Sequence, residues 1–454
     1  MASFVAPGSQ NRDRGVPRFE ASLLPKEPGH LPVGANGRDT RQDIPCEPEG
    51  VGSSVYVATL GGFSFMRSSD SSGSSATRAL RDALHSTAAI SGSTHAFYRY
   101  PARFSPEFAR SFIQRFTTPG DTVLDCFMGG GTTAVEALSA GRRFVGCDLN
   151  ALSFFLTSVK TSLLSANDRT RLVDWGSQLE PAINLRSSEL PIDERALSIP
   201  WNIRKTLALA LATLPRLPNA RTRAFARCSL LRTAQWALDC RRMLPNKVAF
   251  LEKHALHLSE MLQGAVEFGS CFDRHLAGRA RPARRLYQCA AAGLGKKPSL
   301  GDAQARLLIT SPPYPGVHVL YHRWQVRGRR ETAAPYWLAD CLDGQPPSHY
   351  TLGPRRPETW DRYMTGIRSS FASAKQLLHR DALVVQLVAF SDPETQYPLY
   401  MDAMNAAGYV REKLPELGNA NTPIIRSVPN RKWYAESKGA LPASREYVLV
   451  HRPS

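Results

Sequence analysis

From residue 95 onward, short apolar runs alternate with stretches whose apolar residues recur every three to four positions. The first amphipathic stretch, 105–116, opens with Ser105 as N-cap and Pro106 in the first helical turn, so the pattern predicts a helix there. A four-residue apolar strand at 122–125 follows, then a helix at 133–140 closed by Gly141, then a second strand at 143–148. Residues 150–285 read as mostly helical, broken at Pro191, Pro200, Pro215 and Pro218, with 207–212 and 250–262 as the clearest pieces. Strands resume at 285–290 and 306–310. A helix at 357–379, a strand at 383–388, a helix at 395–407 and two strands at 409–413 and 446–451 complete the series. A long basic loop separates the last two strands, which are expected to pair antiparallel. Strand–helix–strand rhythm of this kind predicts an α/β fold, a doubly wound, mostly parallel sheet covered by helices.

Residues 1–90 break the pattern. They are rich in Gly, Pro, Ser and charge, bury too little apolar surface to offset ordering entropy, and are expected to be a disordered leader with one helix at about 76–88. The remaining chain divides into a cofactor half at 91–160, a helical insert at 161–284 and a second half at 285–454. No internal repeat is present.

Charge changes the picture of the insert. The 454-residue chain carries a formal charge of +18, and residues 201–300 hold 18 Lys and Arg against 5 Asp and Glu, a local excess of +13. Single arginines are commonly solvated surface residues. A region this lopsided favours a polyanion such as nucleic acid. Arg221, Arg223 and Arg227 are the arginines chosen from it as DNA contacts. The eight cysteines include no Cys-x-x-Cys pair, no zinc grouping with histidine appears, and no apolar run approaches the ~18 residues of a membrane helix. These features predict reduced thiols, no metal, no membrane association and a cytoplasmic location.

Two strand ends carry the candidate chemistry. The segment DCFMGGGTT at 125–133 is a glycine turn between strand and helix. Gly129, Gly130 and Gly131 permit close backbone approach, and the helix N-terminus after them presents unpaired amides. Asp125, Phe127, Thr132 and Thr133 line the turn, and Asp148 ends the next strand, where an acid binds the two hydroxyls of a ribose. A tight turn of purely structural purpose is the alternative. A nicotinamide or flavin site is another, but the Gly-x-Gly-x-x-Gly spacing is poorly matched. The second strand end is TSPPY at 310–314. Pro312 and Pro313 fix the backbone, so that the Ser311 side chain and a Pro312 carbonyl can accept both hydrogens of an exocyclic amine. Tyr314 is placed to stack on a base swung out of a duplex. The alternative is a rigid turn with a packed tyrosine.

With both motifs in one chain, the sequence resembles the S-adenosylmethionine-dependent DNA amino-methyltransferases, which make N4-methylcytosine or N6-methyladenine. Three blocks carry the resemblance: 95–109, 125–133 and 310–314. The first implies that Phe104 and Pro106 help hold the methionine end of the cofactor. In the second, Cys126 stands where proline is common and Gly130 where serine is common. The resemblance implies a Rossmann-like methyltransferase sheet of seven strands, S-adenosylmethionine as cofactor, and double-stranded DNA as partner. It also implies a cognate restriction endonuclease as a further partner. The cofactor half precedes the catalytic half, an order found in some members only, which makes 160–285 the first candidate for target recognition. Serine at position 311 leans toward cytosine N4, because many adenine-specific members carry Asp or Asn there.

After the catalytic motif, 315–330 mixes aromatics with arginines, and Tyr321, Arg323 and Trp324 are expected to face DNA. His318 and His322 lack an acidic third ligand, so no metal is read there. Cytosine-C5 chemistry needs a cysteine after proline, and the one such pair, Pro45 and Cys46, lies in the leader. The expected function is methylation of an exocyclic amine in DNA, cytosine N4 first. Adenine N6 methylation, RNA base methylation and a DNA-binding protein without turnover are the alternatives.

Overall fold

The computed structural model describes residues 72–86, 92–100, 104–187, 193–241, 243–276, 283–298, 304–315, 323–327, 330–344, 350, 352, 360–414, 423–427 and 445–454. Most of the expected leader, residues 1–71, lies outside the described residues, as do Tyr321, His318 and His322.

The described residues form ten strands: β1 (Thr122–Asp125), β2 (Arg143–Asp148), β3 (Arg284–Gln288), β4 (Ala305–Thr310), β5 (Trp324–Val326), β6 (Arg330–Thr332), β7 (Leu378–Val388), β8 (Tyr409–Arg411), β9 (Ile424–Ser427) and β10 (Arg445–Pro453). The main sheet runs β3-β2-β1-β4-β7-β10-β8, with β9 also pairing on β10. Its first five strands are parallel, while β10 is antiparallel to β7, β8 and β9. The seven strands of the main path match the expected number, and β9 makes an eighth. That short strand sits in the basic loop before β10, where period-two patterning is too brief to register. The last two expected strands pair antiparallel as foreseen.

Helices cover both faces: α1 (Ser72–His85), α2 (Pro106–Phe116), α3 (Thr132–Ser139) and α4 (Ala151–Lys160) lie in the first half. The insert supplies α5 (Ala166–Ser177), α6 (Leu179–Ala182), α7 (Trp201–Ala212), α8 (Ala220–Leu238) and α9 (Lys247–Leu276). The second half supplies α10 (Ala334–Ala339), α11 (Trp360–Lys375) and α12 (Pro393–Ala406). Ser105 caps α2 as expected, its side chain accepting from the Glu107 amide.

Strand alternation decides which helices cover which face. Val123, Leu307, Ile309, Leu383, Val385 and Leu387 pack with Phe108, Phe112, Val135 and Leu138 of α2 and α3. Leu124, Leu308, Val384 and Val388 point the other way, against Ile367 and Phe371 of α11 and Tyr400 and Met404 of α12. A third core joins the insert to the sheet domain: Leu207, Phe225, Leu230 and Met261 pack with Leu152 and Leu156 of α4, and with Trp324 and Tyr336. The insert therefore shares its apolar interior with the cofactor half, which fixes it relative to the strand ends.

The sheet order reverses between β1 and β4, parallel neighbours whose connections depart in opposite directions. Such a switch point opens a crevice at the carboxyl ends of the strands. The glycine turn follows β1 and the SPPY turn follows β4, so the fold brings the two motifs, 177 or more residues apart in sequence, to one crevice.

Candidate functional site

At the end of β1 the chain turns on glycines. Gly129 and Gly131 have φ of 47° and 78°, the left-handed region that side chains disfavour. A Cβ on Gly131 would stand 2.7 Å from Thr157 Oγ1, and one on Gly130 would stand 2.8 Å from Tyr100 Cβ. Gly131 precedes α3, and no side chain caps that helix, so its first amides face the turn uncapped. Behind the turn, the buried Lys160 donates to the Gly130 carbonyl at 2.8 Å.

The two acids at this end differ. Asp125 is buried and receives Thr310 Oγ1 and Thr133 Oγ1 at 2.7 Å each and the Phe127 amide at 3.1 Å. Burial pushes its carboxyl up to about 7, against the pull of these donors. Asp125 and Thr133 were expected to meet the cofactor. Both are turned inward instead, because the strand end buries the Asp125 carboxylate, and interior hydroxyls and a backbone amide satisfy it there. The Thr310 hydroxyl on Asp125 also ties β4 to β1, and that of Thr133 ties α3 to β1. Asp148, at the end of β2, accepts from the Gly129 amide and the Asn150 amide, 2.8 Å each. Burial raises its carboxyl to about 6. Thr132 is buried, and Phe127 is half-buried beside the turn. Phe104 and Pro106 are buried as well, Phe104 packing edge-on against Phe108 with centroids 5.7 Å apart.

At the end of β4, Ser311 Oγ lies 3.0 Å from the Leu387 carbonyl and 3.2 Å from Tyr314 Oη. Tyr363 donates to the Pro313 carbonyl at 2.7 Å, while among the described residues the Pro312 carbonyl has no internal donor. Tyr314 is only 8% exposed and donates its hydroxyl to Glu446 Oε1 at 2.7 Å. Glu446 Oε2 in turn accepts from Arg426 Nε and Nη2 at 2.8 and 2.6 Å, all within the protein interior. A carboxylate–arginine pair beneath the SPPY turn left no trace in the sequence pattern, since both residues come from the basic loop and the final strand. An aromatic group beside them was missed too: Phe390 meets Tyr447 at 5.1 Å and Tyr397 at 6.0 Å between centroids. Its signal was present, in the aromatics that follow the strand at 383–388.

The residues expected to contact DNA fare unevenly. Trp324 is 2% exposed and donates its indole N–H to Tyr98 Oη at 3.0 Å, so its ring is a core element and is closed to a base. Mixed aromatics and arginines cannot by themselves distinguish an exposed face from a short buried strand, and Trp324 opens β5. Arg323 pairs with Asp343 at 2.7 Å. Arg221 lies at the start of α8, half-exposed, paired with Asp168 at 3.3 Å. Arg223 donates to the Leu217 carbonyl, and Arg227 donates to Asp340 at 2.8 Å and to the Leu338 carbonyl. All three arginines thus have partners within the chain, with Arg227 bonding the insert to the segment after the catalytic motif. Among the described residues no cluster of His, Cys, Asp or Glu suits a metal ion, and no helix is long and apolar enough to cross a membrane.

Comparison with known proteins bears on the first of the two strand ends. Residues 70–153 match the DNA methylase family of N6 and N4 amino-methyltransferases, which includes the glycine turn and Asp148. The chain is 59% identical over 39 residues to the type II methyltransferase M1.MboII of Moraxella bovis, covering 9% of this chain and 15% of that one. It is 43% identical over 70 residues to M.BglI of Bacillus subtilis, covering 15% and 20%, and 34% identical over 93 residues to M.MvaI of Kocuria varians, covering 20% of each. The matched stretches thus span no more than a fifth of these curated relatives. Among solved structures, an rRNA methyltransferase (aviRa) of Streptomyces viridochromogenes has a TM-score of 0.29 at 10% identity, covering 78% of this chain and 89% of that one. TrmN of Thermus thermophilus has a TM-score of 0.28 at 11% identity, covering 77% and 49%. The family resemblance first drawn from sequence blocks is borne out over residues 70–153.

Proposed function

We propose that this chain transfers a methyl group from S-adenosylmethionine to an exocyclic amine of a base in double-stranded DNA, with cytosine N4 as the favoured acceptor. The observation that carries the reading is the meeting of the glycine turn and the SPPY turn at the β1–β4 switch point. The DNA methylase match over 70–153 and the type II relatives support the substrate class.

The residues present fit the cofactor. Asp148 holds its place with two backbone amides and retains acceptor capacity for ribose hydroxyls, which are donors. Gly129 to Gly131 and the uncapped start of α3 offer backbone amides to a carboxylate. When bound, the cofactor supplies a methyl group on a positively charged sulfur, an electrophile that needs no metal.

The protein's own contribution is orientation. Ser311 Oγ and the Pro312 carbonyl accept the two amine hydrogens, which frees the nitrogen lone pair from its ring and aims it across the crevice. Tyr363, by holding the Pro313 carbonyl, keeps the turn rigid. The carboxylate bonded to the turn, Glu446, is occupied by Tyr314 and Arg426, so the gain in rate comes from proximity and from polarising the amine, with the sulfur keeping the electron pair of the broken bond and the amine's spare proton passing to solvent. Tyr314 offers a base only the small part of its ring that is exposed. Basic residues of the insert attract the phosphates, and Arg221 is the half-exposed member of the three named. A cognate restriction endonuclease would fit a type II modification enzyme.

The test is incorporation of labelled methyl from S-adenosylmethionine into duplex DNA and RNA side by side. Label in DNA amines supports the reading. Label confined to RNA, or cofactor binding with no transfer to either, overturns it in favour of an RNA enzyme or a non-catalytic DNA-binding protein.

A further inference from the structure

The two ends of helix α8 meet opposite ends of the sheet. At its start, Arg221 donates to the Leu163 carbonyl at 2.9 Å and pairs with Asp168. Its charge also reaches Arg284, whose guanidinium is brought down to about 10 by burial and by that neighbour. Arg284 opens β3, with Phe144 near the start of β2 as its partner. The start of α8 therefore stands beside the amino ends of the parallel strands. The glycine turn and the SPPY turn lie at the carboxyl ends.

The far end of α8 is tied to the crevice side. Gln235 Oε1 accepts from the Arg99 amide at 3.1 Å, and Gln235 Nε2 donates to the Arg99 carbonyl at 2.9 Å. Asp239, just past the helix, takes the Arg99 guanidinium at 3.0 Å. Tyr100, the next residue, lays its ring against Gly129 and Gly130 of the glycine turn. The same end of α8 also joins β5, since the Cys240 amide donates to the Gln325 carbonyl at 3.0 Å and Asp239 bridges to Val326. Arg221 and Trp236 are fifteen residues apart on the helix, a span of about 22 Å.

Cations gather around this far end. The Arg99 side chain is 69% exposed. The Arg241 guanidinium lies 4.3 Å from the centroid of the half-buried Trp236 ring, and Lys253 of α9 places its ammonium 5.8 Å from the same centroid. Arg327 is exposed in the turn that follows β5, held there at a φ of 55°. Asp239 pairs with Arg99, and among the described residues no carboxylate pairs with Arg241, Lys253 or Arg327. An indole attracts two cations without neutralising either, so their charge stays available to an anion.

We infer that duplex DNA lies across the last turn of α8, its phosphates held by Arg99, Arg241, Lys253 and Arg327. This rests on the proposed methyl transfer to DNA and extends it by naming the surface that carries the duplex. A base swung out of a duplex held there leaves it on the crevice side. A duplex held at Arg221 would lie about 22 Å further along the helix, beside the wrong ends of the strands. Arg221 is left to long-range attraction, which physiological salt screens within about 8 Å. Phosphate contacts carry no sequence information, so this surface sets the register and orientation of the duplex.

The test is the salt dependence of affinity of the full-length protein for a short mixed-sequence DNA duplex, with single-stranded RNA of the same length beside it. Melting temperature is measured for every variant. Arg241→Gln and Lys253→Gln should each lower the slope of log affinity against log salt by about one. Removing all four charges, with Arg99→Gln and Arg327→Gln added, should lower it by about three and weaken duplex binding at least tenfold at about 0.1 M salt. Arg171→Gln, which removes an exposed charge on α5 beside the start of α8, should leave the slope unchanged. If the fourfold variant does not fold, the two single variants decide. Unchanged slopes in both folded single variants overturn the inference. So does an equal fall with Arg171→Gln, which would mean a diffuse field, or a loss seen with RNA alone. The expected slopes without methyl transfer by the wild type would support this surface and remove the proposed function. Methyl transfer with unchanged slopes removes the surface alone.

Discussion

At the cofactor end of the crevice, the bonds that shape the site are short in sequence: Asp148 reaches back 19 residues to Gly129, and Thr133 reaches 8 residues to Asp125. At the catalytic end they are long, with Ser311 bonded 76 residues away at Leu387 and Tyr314 bonded 132 residues away at Glu446. The two ends also differ in chemistry. Two carboxylates with raised pKa, the buried Asp125 and the half-buried Asp148, stand at the ends of β1 and β2, whereas the turn after β4 presents hydroxyl and carbonyl oxygens, and its nearest carboxylate is neutralised by Arg426. In the proposed function, one end holds a polar ligand and the other receives hydrogen-bond donors.

The largest effect is expected from the catalytic end. Ser311→Ala removes an acceptor needed most as the amine pyramidalises, and losses on the order of 100-fold in kcat are typical for a preorganised transition-state contact. Because the proposed cofactor contact, Asp148, stands at the end of another strand, calorimetry should find S-adenosylmethionine affinity unchanged. A parallel fall in affinity would mean that the two ends are not separable.

Asp148→Ala should do the reverse, weakening cofactor binding by about 1.5–3 kcal/mol, the range for hydrogen bonds to a charged group. Its pKa adds a pH signature. A carboxyl raised to about 6 is ionised above that pH and protonated below it, and only the ionised form accepts from two hydroxyls. Affinity should therefore be level above pH 7 and fall by up to about tenfold per unit below pH 6. Asp148→Asn should flatten that fall. A wild-type affinity that stays constant from pH 7.5 to 5 would remove Asp148 from the cofactor site.

The contrast in sequence separation also explains what a reader of the sequence could see. The glycine turn, Asp148, the SPPY turn and the alternating strands were legible because each depends on neighbours or on period two. The antiparallel β8–β10 pairing was legible for the same reason. Glu446 and Arg426 were not, because nothing local marks a carboxylate on a final strand as the partner of a tyrosine 132 residues earlier. Trp324 was misplaced because aromatic residues beside arginines suit a stacking surface and a buried strand equally well. Asp125 was placed in the right turn but on the wrong side of it, since a strand-end acid faces solvent or core according to which hydroxyls the neighbouring strands bring. Thr310 brings one from β4.

A smaller effect belongs to Tyr314→Ala. Base–aromatic stacking is worth about 1–3 kcal/mol, and the low exposure of this ring sets the lower end of that range as the expectation. Steady-state kinetics should show the loss mainly in kcat/KM for DNA. A DNA duplex methylated as well by Tyr314→Ala as by the wild type would confine the tyrosine to packing.

The smallest effect is expected in the insert. Arg221, half-exposed, pairs with the buried Asp168, which Ser165 and Asn219 also hold, so Arg221→Ala should lower stability by no more than about 1 kcal/mol. If it contacts one phosphate, the slope of log affinity against log salt should fall by about one. Arg227→Ala should instead lower the melting temperature, because its donors hold Asp340 and the Leu338 carbonyl. An unchanged salt slope for Arg221→Ala would move the DNA-contacting surface away from the start of α8.

The most direct test of the central claim is nucleoside analysis of duplex DNA incubated with the full-length protein and S-adenosylmethionine. The account predicts N4-methylcytosine, formed by the wild type and by Arg221→Ala and nearly absent with Ser311→Ala. N6-methyladenine in its place would keep the amine chemistry and overturn the choice of base. A digest containing 5-methylcytosine, or no methylated nucleoside, would contradict the account at its root.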